Sequence, residues 1–381
     1  MRPAPHLNAM QPAARVASLR PSPIRQLSEG APADAIPLGL GEPTWALPEP
    51  GRRALAAFSG TCTYGPTAGL PELRRAVAAY HRADVEEVLI TSGSEEALFA
   101  LLQAWVEPGA KVLMSDPGFV AYESLTTLAG GEVRTYPLDA GRRFRLDADA
   151  LIARLDEPGL RVVILNHPCN PTGGGATLEA LRRVAEACEA RGLLLISDEV
   201  YRDLHFGAPQ PSLRDVSAAG VITSSVSKGW GAPGLRVGWM VGDPKWLAPA
   251  RTVHAFAVTT AAHPAQVAAR ALIEASGEVL PAARREVALR FEALAEAMKE
   301  HFHQEIAPPD GAFYHWLPLP ASAHADPMAF ALRLRDEARV VLVPGIIFGE
   351  GGRGHARLSF AASPEQIREG VRRLAPFWRM P

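Results

Sequence analysis

Seven short apolar runs recur between residues 88 and 241: Val88–Thr91, the opening of Lys111–Tyr122, Val133–Tyr136, Arg161–Leu165, Leu193–Ser197, Val221–Ser225 and Val237–Val241. They do not alternate apolar with polar, so each is a strand covered on both faces. Segments of helical period lie between them: Leu70, Leu73, Val77 and Tyr80 on one face, a helix beginning near Glu95, and stretches near Asp147–Leu155 and Leu178–Arg191. Strands that alternate with helices predict an α/β fold, a mostly parallel sheet covered by helices. In such sheets ligands sit at the carboxyl ends of the strands.

The pattern changes after Trp239. Glu278–Phe302 reads as a long helix, followed by strand-like Gly311–Leu319, a helix near Pro327–Ala338, apolar Val340–Gly349, His355–Ala361 and a last helix near Pro364–Phe377. This mixture predicts a smaller α+β domain. A chain of 381 residues is too long for one small core. The expected division is 1–45 for an N-terminal arm and small-domain segment, 46–275 for the large domain and 276–381 for the small C-terminal one. Residues 1–14, rich in Pro and Ala, read as a flexible arm.

Composition excludes several functions. With 48% hydrophobic and 21% charged residues and a net charge of −2, nothing points to nucleic acid or an anionic membrane as partner. Cys62, Cys169 and Cys188 are odd in number and scattered, which suits a reducing compartment, and no spacing of Cys or His suggests a metal. The N-terminus has no continuous apolar run, so it reads as neither a signal peptide nor a span. The expected location is the cytoplasm.

Chemistry-bearing residues cluster after the strands. Ser92-Gly93-Ser94 turns a strand into a helix, an anion site through free N–H groups or an ordinary cap. Asn166–Gly174, NHPCNPTGG, follows the fourth run; Cys169 within it has no defined base nearby and reads as inert. Asp198 directly follows an apolar run, which makes it either an exposed loop residue or a buried charge that needs a partner. The segment Ser224–Trp239, SSVSKGWGAPGLRVGW, places Lys228 after Ser225 and Ser227, with Arg236 further on and glycines between. Hydroxyls and a guanidinium suit a phosphate, and the amine beside it is free to attack an aldehyde.

Taken in order, N-P-T-G, D-E-V-Y and S-x-S-K followed by arginine resemble the class I/II aminotransferases of the fold-type I superfamily that depends on pyridoxal phosphate (PLP), over nearly the whole chain. The resemblance implies PLP bound to Lys228, its phosphate held by Gly93, Ser94, Glu95, Ser225, Ser227 and Arg236, and Phe119 stacked on its ring. Asp198 would pair with the ring nitrogen and keep the ring cationic. Asn170 and Tyr201 would donate to its phenolic oxygen. Gly41, in G-E-P, and Arg357, in R-L-S-F-A with P-G-x-x-F-G before it, would join Asn170 around the substrate carboxylate. Tyr64, in Y-G-x-x-x-G, would reach the neighbour's phosphate across a homodimer interface.

The implied activity is transfer of an amino group from an L-amino acid to a 2-oxo acid by a ping-pong mechanism. A C–S β-lyase or another fold-type I enzyme of specialised biosynthesis is the alternative, because the same apparatus serves both. A PLP-binding regulator would carry a winged helix ahead of this fold, where residues 1–40 hold no basic helix. The stretch His254–Gln266 holds no Arg or Lys to grip a distal carboxylate, which predicts a neutral or aromatic donor. Trp45, Phe256 and Phe348 are candidates for an apolar wall.

Overall fold

The apolar runs assemble side by side. The computed structural model describes residues 11–19 and 23–378; residues 1–10 of the expected arm lie outside them. Its strands β1 (Val88–Thr91), β2 (Lys111–Asp116), β3 (Glu132–Pro137), β4 (Leu160–Asn166), β5 (Leu194–Asp198), β6 (Val221–Ser225) and β7 (Gly238–Gly242) form a seven-stranded sheet in the order β1-β7-β6-β5-β4-β2-β3. The strands β2 to β6 pair in parallel, while β7 runs antiparallel to both β1 and β6. An apolar run reads the same in either direction, so local pattern carries no sign of that reversal.

Both faces of the sheet are covered except along the edge strand β3, whose residues other than Tyr136 are exposed or half-buried, and the strand period divides one run between two cores. Val162, Ile164, Leu194, Ile196 and Met240 pack on one side with Leu98, Leu101 and Leu102 of the helix Ser94–Trp105. Val163, Leu165, Leu195 and Trp239 pack on the other, with Leu73 and Val77 of the helix Pro71–His81. Each large side chain buried in this way stabilises the fold by roughly 1.5–3 kcal/mol. The helix Leu178–Glu189 starts where the Thr177 hydroxyl accepts from the Ala180 N–H at 3.1 Å.

A second sheet of β8 (Tyr314–Pro318), β9 (Val343–Pro344) and β10 (His355–Ser359), in the order β8-β10-β9, is antiparallel. Its cluster includes Leu294 from the helix Ser276–Ala297 and Leu374 from the helix Pro364–Trp378. The apolar segment Val340–Gly349 contributes only the short strand β9, because Pro344 has no N–H to extend the ladder and Gly345–Phe348 coils into a 3₁₀ turn. The predicted helix to Phe302 holds as α-helix to Ala297, and its last turn, Met298–Phe302, is widened.

The segment Ile36–Gly41 joins the two sheets' surroundings. Ile36 bridges Val340, and the Leu38 carbonyl accepts from the Ser359 N–H at 2.7 Å. The segment's next carbonyls, at Gly39 and Gly41, face cations.

Candidate active site

The floor is built at the carboxyl ends of β4 and β5. Asn166 and Asp198 end these strands in register. The Asn166 amide donates to the Asp198 carbonyl at 3.0 Å, and its Oδ1 accepts from the Asn170 N–H at 2.7 Å, so one side chain ties the N-P-T-G turn to the strand bearing the acid. Asp198 is buried. Its Oδ2 accepts from the Tyr122 hydroxyl at 2.7 Å. Burial pushes its carboxyl up to about 6 despite the Tyr122 bond and the more distant Lys228 charge, and no cation lies within ion-pair reach of it among the described residues.

Lys228 follows β6, and its Nζ donates to the Gly41 carbonyl at 2.6 Å. Burial and then the Arg357 charge bring its amine down to about 8, where the neutral nucleophilic form is accessible near neutrality. Arg357, in the middle of β10, is 2% exposed. It donates to Asn170 Oδ1 and to the Gly39 carbonyl, each at 2.7 Å, and lies between the rings of Tyr314 and Phe348 at 4.6 and 4.7 Å. Its Nε has no partner among the described residues. Burial lowers its pKa, and no carboxylate lies within ion-pair reach of it among the described residues. A buried guanidinium held by neutral acceptors and aromatic faces presents a seat for an incoming carboxylate.

Tyr201 meets Tyr314: their hydroxyls are 2.6 Å apart, and Lys228 Nζ lies 5.9 Å from the Tyr201 ring centroid. Burial, then Tyr314, holds the Tyr201 hydroxyl well above the usual phenol range.

A cradle lies beside the lysine. Gly93 caps the helix Ser94–Trp105 at φ +89°, with no side chain occupying the first-turn N–H groups. Strand β7 presses on this turn so closely that a Cβ at Gly238 would lie 2.5 Å from the Gly93 carbonyl carbon, and one at Gly93 would lie 2.6 Å from an Arg236 nitrogen. Arg236 is thus aimed at the helix N-terminus, an anion site. Ser225 and Ser227 are linked, the Ser227 N–H donating to Ser225 Oγ at 3.2 Å. Glu95 is exposed and contributes to this turn through its backbone. Phe119 caps the next helix, Val120–Leu128, edge-on to Tyr122 with ring centroids 5.5 Å apart.

Some expected residues stand apart within one chain. Tyr64 is 79% exposed. Phe256 is 90% exposed at the end of the helix Pro244–Ala257, so it forms no part of an apolar wall there, because its helix ends at the surface. Trp45 packs against Phe313 and beneath the Arg290 guanidinium, and Phe348 covers Arg357. The Cys169 thiol is fully buried and pushed up to about 11. A separate cleft of about 220 Å³ is lined by Tyr80, Arg82, Arg202 and Arg214. Each of those arginines already faces a carboxylate, Asp215, Glu199 and Glu87 respectively, so that cleft offers no uncompensated charge.

Tyr314 and Asn166 carry no role in the motif reading, and Tyr122 appears there only as the end of the segment Lys111–Tyr122. A buried tyrosine in an apolar segment has no local signature; Tyr314 is recognisable only by what folds against it. Asn166, opening the NHPCNPTGG loop at a strand end, is the one with a readable cue.

Known proteins resemble this chain over most of its length. The family model "Aminotransferase class I and II" matches residues 33–374. The chain is 29% identical to an aspartate aminotransferase of Pyrococcus horikoshii, over 95% of this chain and 96% of that protein. It is 33% identical to a valine–pyruvate aminotransferase of Mycobacterium tuberculosis, over 92% of each. The aspartate aminotransferase of Thermus thermophilus with maleate superposes with a TM-score of 0.89 at 29% identity, covering 96% of this chain and 99% of that one. The chain belongs to the class I and II aminotransferases, PLP-dependent transferases of fold-type I.

Proposed function

We propose that this aminotransferase holds PLP between the Gly93 turn and Lys228 and moves an amino group from a neutral or aromatic L-amino acid to a 2-oxo acid in two alternating half-reactions. The observation that carries the reading is the pairing of a depressed amine, Lys228, with a buried guanidinium, Arg357, that has no carboxylate of its own. The residues fit PLP on independent grounds. The Gly93 turn and Arg236 make a cradle that a Cβ would fill, and among the described residues Asp198 is a buried acid with no ion-pair partner and Arg357 Nε has no hydrogen-bond partner.

When bound, PLP supplies a carbonyl carbon that amines attack and a ring that accepts the electron pair left as the substrate Cα–H bond breaks. Lys228 anchors it and is the general base for the Cα proton. Asp198, oriented by the Tyr122 hydroxyl, would pair with the ring N–H. Asn170 and Tyr201 would address the phenolic oxygen, and Phe119 would cover the ring. Gly93, Ser94 and Glu95, by backbone, and Ser225, Ser227 and Arg236 hold the phosphate. Arg357, Asn170 and Gly41 seat the substrate carboxylate. The same reading assigns residues 46–275 to the large PLP-binding domain, 1–45 to the N-terminal arm and small-domain segment, and 276–381 to the small C-terminal domain.

Phe348 belongs to an apolar cluster with Trp316, Val343, Val120 and Ile347, which favours a donor without a distal charge. With one shared 2-oxo acid, kcat/KM for alanine, methionine or phenylalanine is expected to exceed that for aspartate by ~10-fold or more. Aspartate leading would overturn the donor assignment. Ammonia released in place of amino transfer would instead mark a lyase.

The second prediction is a homodimer. The segment 59–66 is exposed throughout, with Tyr64 at 79%, and Phe256, at the end of the helix Pro244–Ala257, is 90% exposed. A second copy that covers these residues would bring Tyr64 to the neighbour's phosphate. Sedimentation at assay concentration is expected to give a dimer; a fully active monomer would count against it.

A further inference from the structure

Three of the residues that face the site touch a fourth that no motif names. Tyr314, the first residue of β8, is 1% exposed. Its hydroxyl is 2.6 Å from that of Tyr201. Its ring lies 4.6 Å from the Arg357 guanidinium carbon. Its hydroxyl also packs against Gly41 so tightly that a Cβ there would sit 2.2 Å away, and the Gly41 carbonyl is the acceptor for Lys228 Nζ. The register of β8 on β10 sets this position, with Tyr314 opposite Ser359, two residues beyond Arg357.

We infer that Tyr314 is a positioning residue for the reaction: it donates its hydroxyl hydrogen to Tyr201 and thereby leaves the Tyr201 hydrogen directed at the cofactor's phenolic oxygen. Each phenol has one hydrogen, so in this pair one oxygen donates and the other accepts. The guanidinium over the Tyr314 ring draws electron density from that phenol and makes it the better donor. Lys228 Nζ lies farther from the Tyr201 ring, at 5.9 Å against 4.6 Å for Arg357 on Tyr314, so the same withdrawal is weaker there. Accepting a hydrogen bond strengthens a hydroxyl as a donor in turn, an effect that low dielectric preserves. The Tyr314–Tyr201 bond therefore acts on the cofactor through Tyr201, while the Tyr314 ring, separately, keeps Arg357 in its plane.

The inference rests on the cofactor site proposed above, and its test separates the two. Wild type, Tyr314→Phe, Tyr201→Phe and the double variant are loaded with PLP, and the cofactor's visible absorbance is titrated against pH. Phenylalanine keeps the ring and its stacking on Arg357, so only the hydroxyl is removed. Tyr314→Phe is expected to raise the titration midpoint by ~0.5 unit, about a threefold change in proton affinity, because Tyr201 becomes a weaker donor. Tyr201→Phe should raise it further, and adding Tyr314→Phe to that variant should shift nothing more. A thermal melt on each variant reports packing, which a purely structural tyrosine would affect without moving the midpoint. An unmoved midpoint in Tyr314→Phe, or shifts that add in the double variant, overturns the inference while leaving the cofactor site intact. Failure of wild type to take up PLP overturns both.

Discussion

Lys228→Ala is expected to lower turnover by ~10⁴-fold or more while the cradle at Gly93 and Arg236 still binds PLP, because the substitution removes both the covalent anchor and the general base and leaves the phosphate contacts untouched. Two measurements check this. Borohydride treatment of wild type should fix the cofactor on Lys228 and on no other lysine, and the variant should show cofactor binding by difference absorbance with no fixation. Labelling elsewhere would sink the assignment. The amine's environment adds a sign that can be read. Burial and Arg357 hold it at about 8, so the neutral form grows as pH rises through that value. The rate at which wild type captures an added aldehyde should rise over the same interval. Addition of a small primary amine to the variant should restore part of the lost rate, since the missing group is a base and not a structural element.

Asp198→Ala carries the second largest effect, a fall in kcat of roughly 1,000-fold with a much smaller loss of PLP affinity. Asp198 sits at the end of a central parallel strand with Tyr122 on one oxygen and the Val200 N–H within 3.4 Å of the other. It is buried and raised to about 6, so its charge is costly until a cation docks on it. A carboxylate in that state favours the protonated form of a ring nitrogen, and the benefit is greatest when negative charge develops on the ring, not in docking. Asp198→Asn, which keeps shape and loses charge, should resemble the alanine variant in kcat. Unchanged turnover in either would show that Asp198 is not the ring-nitrogen partner.

The sequence and the fold divide the explanation unevenly. Apolar runs between helical periods determined a sheet buried on both faces in its central strands, since two-sided burial is a local property that such a run reports by itself, whereas the run Val133–Tyr136, with Arg134 and Thr135, became the half-exposed edge strand β3. The same reading placed Asn170, Asp198 and Lys228 after strands. It also marked the Gly93 turn and Arg236, because glycine at positive φ and a strand-to-helix turn are written within a few residues. Direction was not written there. Strand β7 turned back because it lies between β1 and β6, a matter of which edges were left to pair. The apolar run at 340–349 gave only the two-residue β9 before Gly345–Phe348 coiled into a 3₁₀ turn, a local consequence of Pro344 that an apolar pattern does not report. What only the tertiary structure decided is the wiring of the site. Lys228 to Gly41 and Arg357 to Asn170 each span 187 residues of chain, and Tyr201 to Tyr314 spans 113. Contacts at that separation depend on how two sheets and the Ile36–Gly41 segment pack together, so the unpaired state of Arg357 and the roles open to Tyr122 and Tyr314 had no trace in any local window. Whether a buried charge finds a partner is settled by the three-dimensional neighbours, and those are what give Lys228 and Asp198 their shifted acidities.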